Sequence, residues 1–251
     1  MISKGLRVCA LVPAYNEAER IGRTIDALKS RRQIDRIIVV DDGSTDATSD
    51  RARSAGAEVI TKKNGGKGSA LTTAYEAARC DADVYLLLDA DLGASATECV
   101  KLLYPIDHGI ASMTIGMLPP DPAFVESGES GGMGFVVNLA RKGIERHTGR
   151  QFNQPLSGQR AVLGSVLEEL GGSFADGFGV EVDLTIRALN AGFEVVEVQT
   201  EFRHAVTASD WSGLMHRGRQ WMDVARTLRR LKPLQRRTVA KDGAETNSVV
   251  Q

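Results

Sequence analysis

No apolar run in this chain approaches the ~18 residues that a bilayer-crossing helix requires, which excludes a membrane-spanning helix. No apolar signal segment with a small-residue cleavage site opens it either. Met1-Ile2-Ser3-Lys4-Gly5 leads straight into a strand pattern, so the cytoplasm is the expected compartment. Cysteine is scarce. Cys9, Cys80 and Cys99 have no metal-ligand spacing and cannot all pair, which fits a reducing compartment and leaves no disulfide framework. Internal repeats are absent, and so is a clear linker between two domains.

Net charge is also nearly absent, at −1, but it is unevenly spread. Residues 217–241 hold nine Lys or Arg and one acid, Asp223, which leaves −9 on the rest. Such a basic stretch either contacts phosphates or anionic lipid, or is a solvated helix face. At 251 residues, 42% hydrophobic and 25% charged, the chain has the composition of an ordinary soluble protein. It is read as one domain over 1–240, with a polar, disordered tail at 241–251.

The first half, 1–105, alternates strand and helix. Strands are expected at Leu6–Val12, Arg36–Val40, Ala57–Ile60 and Asp83–Leu88. Helices are expected at Glu17–Ser30, Asp46–Ala55, Gly68–Arg79 and Ser95–Tyr104. This pattern implies an α/β fold with a mostly parallel sheet covered by helices on both faces, joined by right-handed crossovers. The second half, 106–240, is less regular. Strands are expected at Ile110–Gly116 and Phe193–Val198, and helices at Met133–Thr148, Val180–Asn190 and Gly213–Leu231. Leu118–Gly134, with three prolines and four glycines, reads as a loop.

Each early strand runs into a polar cluster. The first ends in Val12-Pro13-Ala14-Tyr15-Asn16-Glu17, the second in Asp41-Asp42-Gly43-Ser44-Thr45-Asp46, the fourth in Asp89-Ala90-Asp91. In a parallel sheet these clusters land on one rim, where ligands of such folds bind. Two carboxylates spaced i and i+2 at a strand end point the same way. They suit a hard cation, since Mg²⁺ takes one or two carboxylates plus substrate phosphates. The alternative is that Asp89 and Asp91 only cap the strand and the following helix. Asn64-Gly65-Gly66-Lys67-Gly68 places three glycines around one lysine at a helix start, which lets backbone and a point charge approach an anion. It is not a Walker loop.

These four motifs, in this order over residues 6–95, resemble the family-2 glycosyltransferases, which have the GT-A (Rossmann-like) fold and use nucleotide-diphosphate sugars. Parts of the second half are similar to the glucosyl-3-phosphoglycerate synthases. The resemblance implies a glycosyltransferase using Mg²⁺ or Mn²⁺. It places Pro13, Ala14, Tyr15 and Glu17 in the nucleoside pocket and Asp41 against the base, usually uracil. Asp42 joins the donor-binding set, although Asp42 and Ser44 alternatively cap the next helix. Gly66 and Lys67 face the diphosphate. Asp91 is the main metal ligand, Asp89 lies near the ribose or reaches the metal through water, and His204 is a further metal ligand. Arg160, in Pro155-Leu156-Ser157-Gly158-Gln159-Arg160, either contacts a phosphate or carboxylate or is structural.

Glu181 and Asp183, after Gly177-Phe178-Gly179, stand where many members carry an acidic pair near the acceptor. On a helix they diverge by about 200°, and Glu181 is preferred as the base of an inverting reaction. In a retaining enzyme it would instead orient sugar or acceptor. The expected partners are a UDP-glucose-like donor and a small anionic or polyprenyl-phosphate acceptor, with no nucleic acid. Peripheral membrane contact through the basic C-terminal helix and a homodimer are left open. The rival readings are a sugar-1-phosphate nucleotidyltransferase and a non-catalytic nucleotide-sugar-binding protein.

Overall fold

The apolar runs of the first half form the strands expected of them. In the computed structural model, which describes residues 5–119, 132–175, 177–203 and 222–231, β1 (Val8–Ala14) leads to α1 (Ile21–Lys29), β2 (Arg36–Asp41) and α2 (Thr48–Ser54). Then come β3 (Glu58–Thr61), α3 (Lys67–Ala78) and β4 (Val84–Leu87). A 3-10 turn, Gly93–Glu98, runs into α4 (Cys99–Asp107), followed by β5 (Met113–Met117) and α5 (Gly132–Thr148). The remainder is β6 (Arg160–Leu163), α6 (Gly164–Glu169), a 3-10 turn at Gly177–Gly179, α7 (Val180–Asn190) and β7 (Val195–Gln199). Residues 222–230 are also helical. Among the described residues no helix is long and apolar enough to cross a membrane.

The seven strands make one sheet in the order β3-β2-β1-β4-β6-β5-β7. Pairings are parallel except those of β6, which runs antiparallel to both β4 and β5. Alternate residues of β1 feed opposite faces, as the two-residue period of a strand demands. Cys9 and Leu11 pack with α3, α5 and α7, while Val8, Ala10 and Val12 pack with α1 and α4. On α1, Ile21, Ile25 and Leu28 are fully buried, each worth about 1.5–3 kcal/mol of apolar burial.

Register puts the functional ends together. Ala14 pairs with Asp41, and Asp41 with Thr61, so β1, β2 and β3 stop at the same rim. Because β6 is antiparallel, it starts where β4 stops: Arg160 pairs with Leu87. The residues just before β6 therefore lie beside Asp89.

Two local differences from the sequence expectation have clear causes. Helix α1 starts at Ile21 rather than Glu17, because the Glu17 amide donates to Thr48 Oγ1 at 2.8 Å and the Ala18 amide to Asp46 Oδ2 at 3.2 Å. Residues 160–163, to which the sequence reading assigns no element, form β6, and the helix expected at Ser95 begins instead as a 3-10 turn.

Candidate active site

Two loops at the rim are stitched to each other. The Asn16 backbone has φ 55°; its amide donates to Ser44 Oγ at 2.9 Å, and its side-chain oxygen accepts from the Thr45 amide at 2.9 Å. Pro13 and Ala14 end β1, and Tyr15 projects beyond them, half exposed. Asp41 is buried and accepts hydrogen bonds from the Ser44 amide, at 2.8 Å, and from the Ser49 hydroxyl. Burial opposes its ionisation, but those bonds outweigh it and hold the carboxyl below the usual range.

Asp42 turns the other way. Its carboxylate accepts from Lys62 Nζ at 2.8 Å, from the Gly65 amide at 2.9 Å and from the Gly66 amide at 2.6 Å. It braces the glycine loop from beneath. Asp42 and Ser44 do not cap α2; Asp46 receives the Thr48 amide at 3.0 Å.

The glycine loop delivers Lys67. Gly66 precedes α3 with φ 86°, a left-handed conformation that glycine adopts without strain. A Cβ on Gly68 would fall 1.8 Å from the Ala175 carbonyl oxygen, so only glycine lets α3 approach that segment. An ammonium at a helix N-terminus is electrostatically misplaced. Two carboxylates correct this: Lys67 Nζ lies 2.8 Å from Asp89 Oδ1 and 2.9 Å from Glu181 Oε1. Burial would push the lysine pKa down, but the two carboxylates outweigh it and the net shift is upward. Lys67 is thus a fixed cation, shared between the two halves of the chain.

The Asp89-Ala90-Asp91 turn is clipped from below by Thr24, fully buried on α1. Its hydroxyl donates to the Ala90 carbonyl at 2.7 Å and accepts the Gly93 amide at 2.9 Å. Asp89 is also held by Gln159, whose Nε2 donates to Asp89 Oδ2 at 2.7 Å. Asp91 makes itself felt at Glu17. There burial, with smaller contributions from Asp91 and Asp46, raises the carboxyl pKa against the pull of Arg20. Asp89 is thus tied to Lys67, while Asp91 is close enough to Glu17 to oppose its ionisation.

Among the described residues no group of three His, Cys, Asp or Glu side chains is arranged to hold a metal ion. The chemistry nonetheless fits a hard cation held chiefly by Asp91: Mg²⁺ takes one or two carboxylates and completes its shell with phosphate and water, while Asp89, whose two oxygens are engaged by Lys67 and Gln159, would reach it only through water. His204, the loop from 120 to 131, His216-Arg217-Gly218-Arg219 and the tail at 241–251 lie outside the described residues.

Two expected site residues direct their charges elsewhere than the Lys67 cluster. Arg160 is 1% exposed and spends its guanidinium inside the protein. It donates to the Ser157 and Pro155 carbonyls, each at 3.0 Å, and to Thr185 Oγ1 at 2.8 Å. Burial pushes its pKa down to about 10. Of the two readings given to it, the structural one holds. Asp183 pairs with Arg187 at 3.2 Å and lines a cavity of about 340 Å³ with Asp223 and Arg226, on a different face of α7 from Glu181. It does not join Lys67.

Thr24 gained importance only in the structure, and Gly158 and Gln159, part of the segment already singled out with Arg160, gained specific roles there. A Cβ on Gly158 would fall 2.5 Å from Lys67 Nζ and 2.9 Å from Asp89 Oδ2. Only the antiparallel direction of β6 brings Gln159 and Gly158 to this rim, and no local pattern announces it.

Comparison with known proteins agrees with this architecture. Residues 9–125 match the model described as glycosyl transferase family 2. The chain is 32% identical over 207 residues to the glycosyltransferase AglJ of Haloferax volcanii, covering 81% of this chain and 65% of that protein. It is 30% identical over 205 residues to a glucosyl-3-phosphoglycerate synthase of Mycolicibacterium paratuberculosis, covering 72% of this chain and 60% of that one. The chain thus spans less than two thirds of the length of these two relatives. The crystal structure of glucosyl-3-phosphoglycerate synthase from Mycobacterium tuberculosis in complex with Mn²⁺, UDP and phosphoglyceric acid superposes with TM-score 0.71 at 27% identity. That match covers 89% of this chain and 78% of the other.

Proposed function

The chain belongs to glycosyl transferase family 2, and from this we infer that it moves a sugar from a uridine-diphosphate sugar to a small anionic acceptor such as a phosphoglycerate. The observation that carries the reading is the Lys67–Asp89–Glu181 cluster on the strand rim, beside a loop whose amides are braced by Asp42. The acceptor class rests on the likeness to a synthase whose structure holds phosphoglyceric acid.

In this reading Tyr15 and Glu17 flank the nucleoside, and Asp41 presents its fixed carboxylate toward the base. Lys67 meets the diphosphate, where negative charge grows as the sugar bond breaks. A preorganised ammonium there stabilises the transition state more than the ground state. Asp91, with Asp89 beside it, would hold the Mg²⁺ or Mn²⁺, which when bound neutralises leaving-group charge on the diphosphate. His204 is proposed as its further ligand. Glu181 faces the acceptor side from α7. In an inverting reaction it takes the acceptor hydroxyl proton, and in a retaining one it orients the acceptor.

The test is product analysis with a panel of UDP-sugars, Mn²⁺ and 3-phosphoglycerate, with a polyprenyl phosphate in a parallel arm. Release of UDP with a glycosylated phosphoglycerate supports the reading, and the anomer formed assigns Glu181. Product only in the lipid arm overturns the acceptor class. Release of pyrophosphate overturns glycosyl transfer in favour of nucleotidyl transfer. Binding without turnover in every arm makes the chain a nucleotide-sugar-binding protein.

A further inference from the structure

We propose that Gln159 is a positioning residue of the donor site: it fixes Asp89, and through Asp89 the Lys67 ammonium, so that donor affinity depends on a side chain that does not touch the donor. The proposal rests on the reading of this rim as the donor site.

Gln159 is fully buried. Its amide grips Asp89 at two points. Nε2 donates to Asp89 Oδ2 at 2.7 Å, and Oε1 accepts the Asp89 backbone amide at 3.0 Å. The opposite amide orientation would face donor with donor and oxygen with carboxylate, so only one orientation satisfies both contacts. The other Asp89 oxygen, Oδ1, takes Lys67 Nζ at 2.8 Å. Each carboxylate oxygen thus has a different donor, and rotation of the Asp89 side chain would break both bonds.

The grip is itself anchored. The Gln159 carbonyl accepts the Gly116 amide at 2.8 Å, and Ser157 Oγ donates to the Gly116 carbonyl at 2.6 Å. The turn before β6 is therefore tied to β5, and its side chain is presented to the end of β4. Just before it, Gly158 leaves no more room than Lys67 and Asp89 need. A residue that only filled space here would need neither a donor nor an acceptor. Gln159 uses both, on Asp89, which pairs with Lys67.

The experiment measures UDP affinity by titration calorimetry at fixed Mn²⁺. It uses the wild type, Gln159→Met (similar shape, no hydrogen bonds), Gln159→Glu (same size, donor replaced by a charged acceptor), Lys67→Met and the double variant Gln159→Met/Lys67→Met. Removing a buried hydrogen bond to a charged group predicts a loss of about tenfold or more in UDP affinity for Gln159→Met. Gln159→Glu loses at least as much, since it sets like charge against Asp89. The double variant binds no more weakly than Lys67→Met alone, because the effect of Gln159 passes through Lys67. Thermal midpoints accompany each titration, and if Gln159→Met does not fold, Gln159→Glu carries the comparison. Wild-type affinity in a folded variant, additive losses in the double variant, or failure of both single variants to fold would each overturn the proposal. Absence of UDP binding by the wild type overturns the donor-site reading, and this proposal with it.

Discussion

Lys67 concentrates the residue-scale argument, because its position is set by neighbours rather than by its own helix. Gly158→Ala should displace it. The added methyl meets the Lys67 ammonium and the Asp89 carboxylate, so stability should fall by about 1–3 kcal/mol, while UDP affinity falls; equal affinity would show that Lys67 does not need this placement. Glu17 makes the opposite case. Its raised pKa means that the folded state binds a proton more tightly than the unfolded chain does. Its contribution to stability therefore grows as pH falls through the folded value and is a penalty at neutral pH. Glu17→Gln should leave the thermal midpoint at pH 7 unchanged or raised, yet weaken nucleotide binding. A fall in midpoint would place the residue in the scaffold instead. The thiols divide by burial: Cys9 and Cys99 are each pushed up to about 12, whereas Cys80 is exposed. Under native conditions a thiol reagent should label Cys80 rapidly and the other two only on unfolding, which mass spectrometry can check.

At the scale of elements, the close approach of α3 to residue 175 is the tightest constraint in the site. Gly68→Ala must push a methyl into the Ala175 backbone carbonyl. It should cost about 1–3 kcal/mol, read as a drop of several degrees in thermal midpoint; no change would mean the two segments separate freely. Arg160→Met should also destabilise, by about 2 kcal/mol or more, since it leaves two buried carbonyls without their donor.

The same elements show what the sequence could reveal. Strands β1, β2 and β4 are legible because both faces are buried and the runs are apolar throughout. The motifs at their ends then land on one rim by topology alone, which is why Asp41, Lys67 and Asp89 could be singled out. Strand β6 was not legible. It is four residues long, begins with a buried arginine, and follows a turn whose residues read as ligand chemistry. Its antiparallel direction is a tertiary fact, and with it went the roles of Gln159, Gly158 and Arg160. The helical period already separates Asp183 from Glu181 in the sequence; which of the two meets the rim depends on how α7 packs.

Across the whole molecule, both halves of the chain contribute to one sheet and one charged cluster, with Lys67 and Asp89 from the first half and Glu181 from the second. A ligand that engages this cluster should therefore stabilise the fold as a unit, by about 2.7–4.1 kcal/mol at 100 to 1,000 times its Kd. The central claim is that the carboxyl rim is a metal-dependent diphosphate site. Its most direct measurement is a calorimetric titration of UDP into the wild type and Asp91→Asn, each with Mn²⁺ and again after chelation. Wild-type binding that chelation largely removes is expected, with an Asp91→Asn protein, still folded, that gains little from Mn²⁺. Equal UDP affinity with and without metal, or an unchanged metal response in Asp91→Asn, would contradict it.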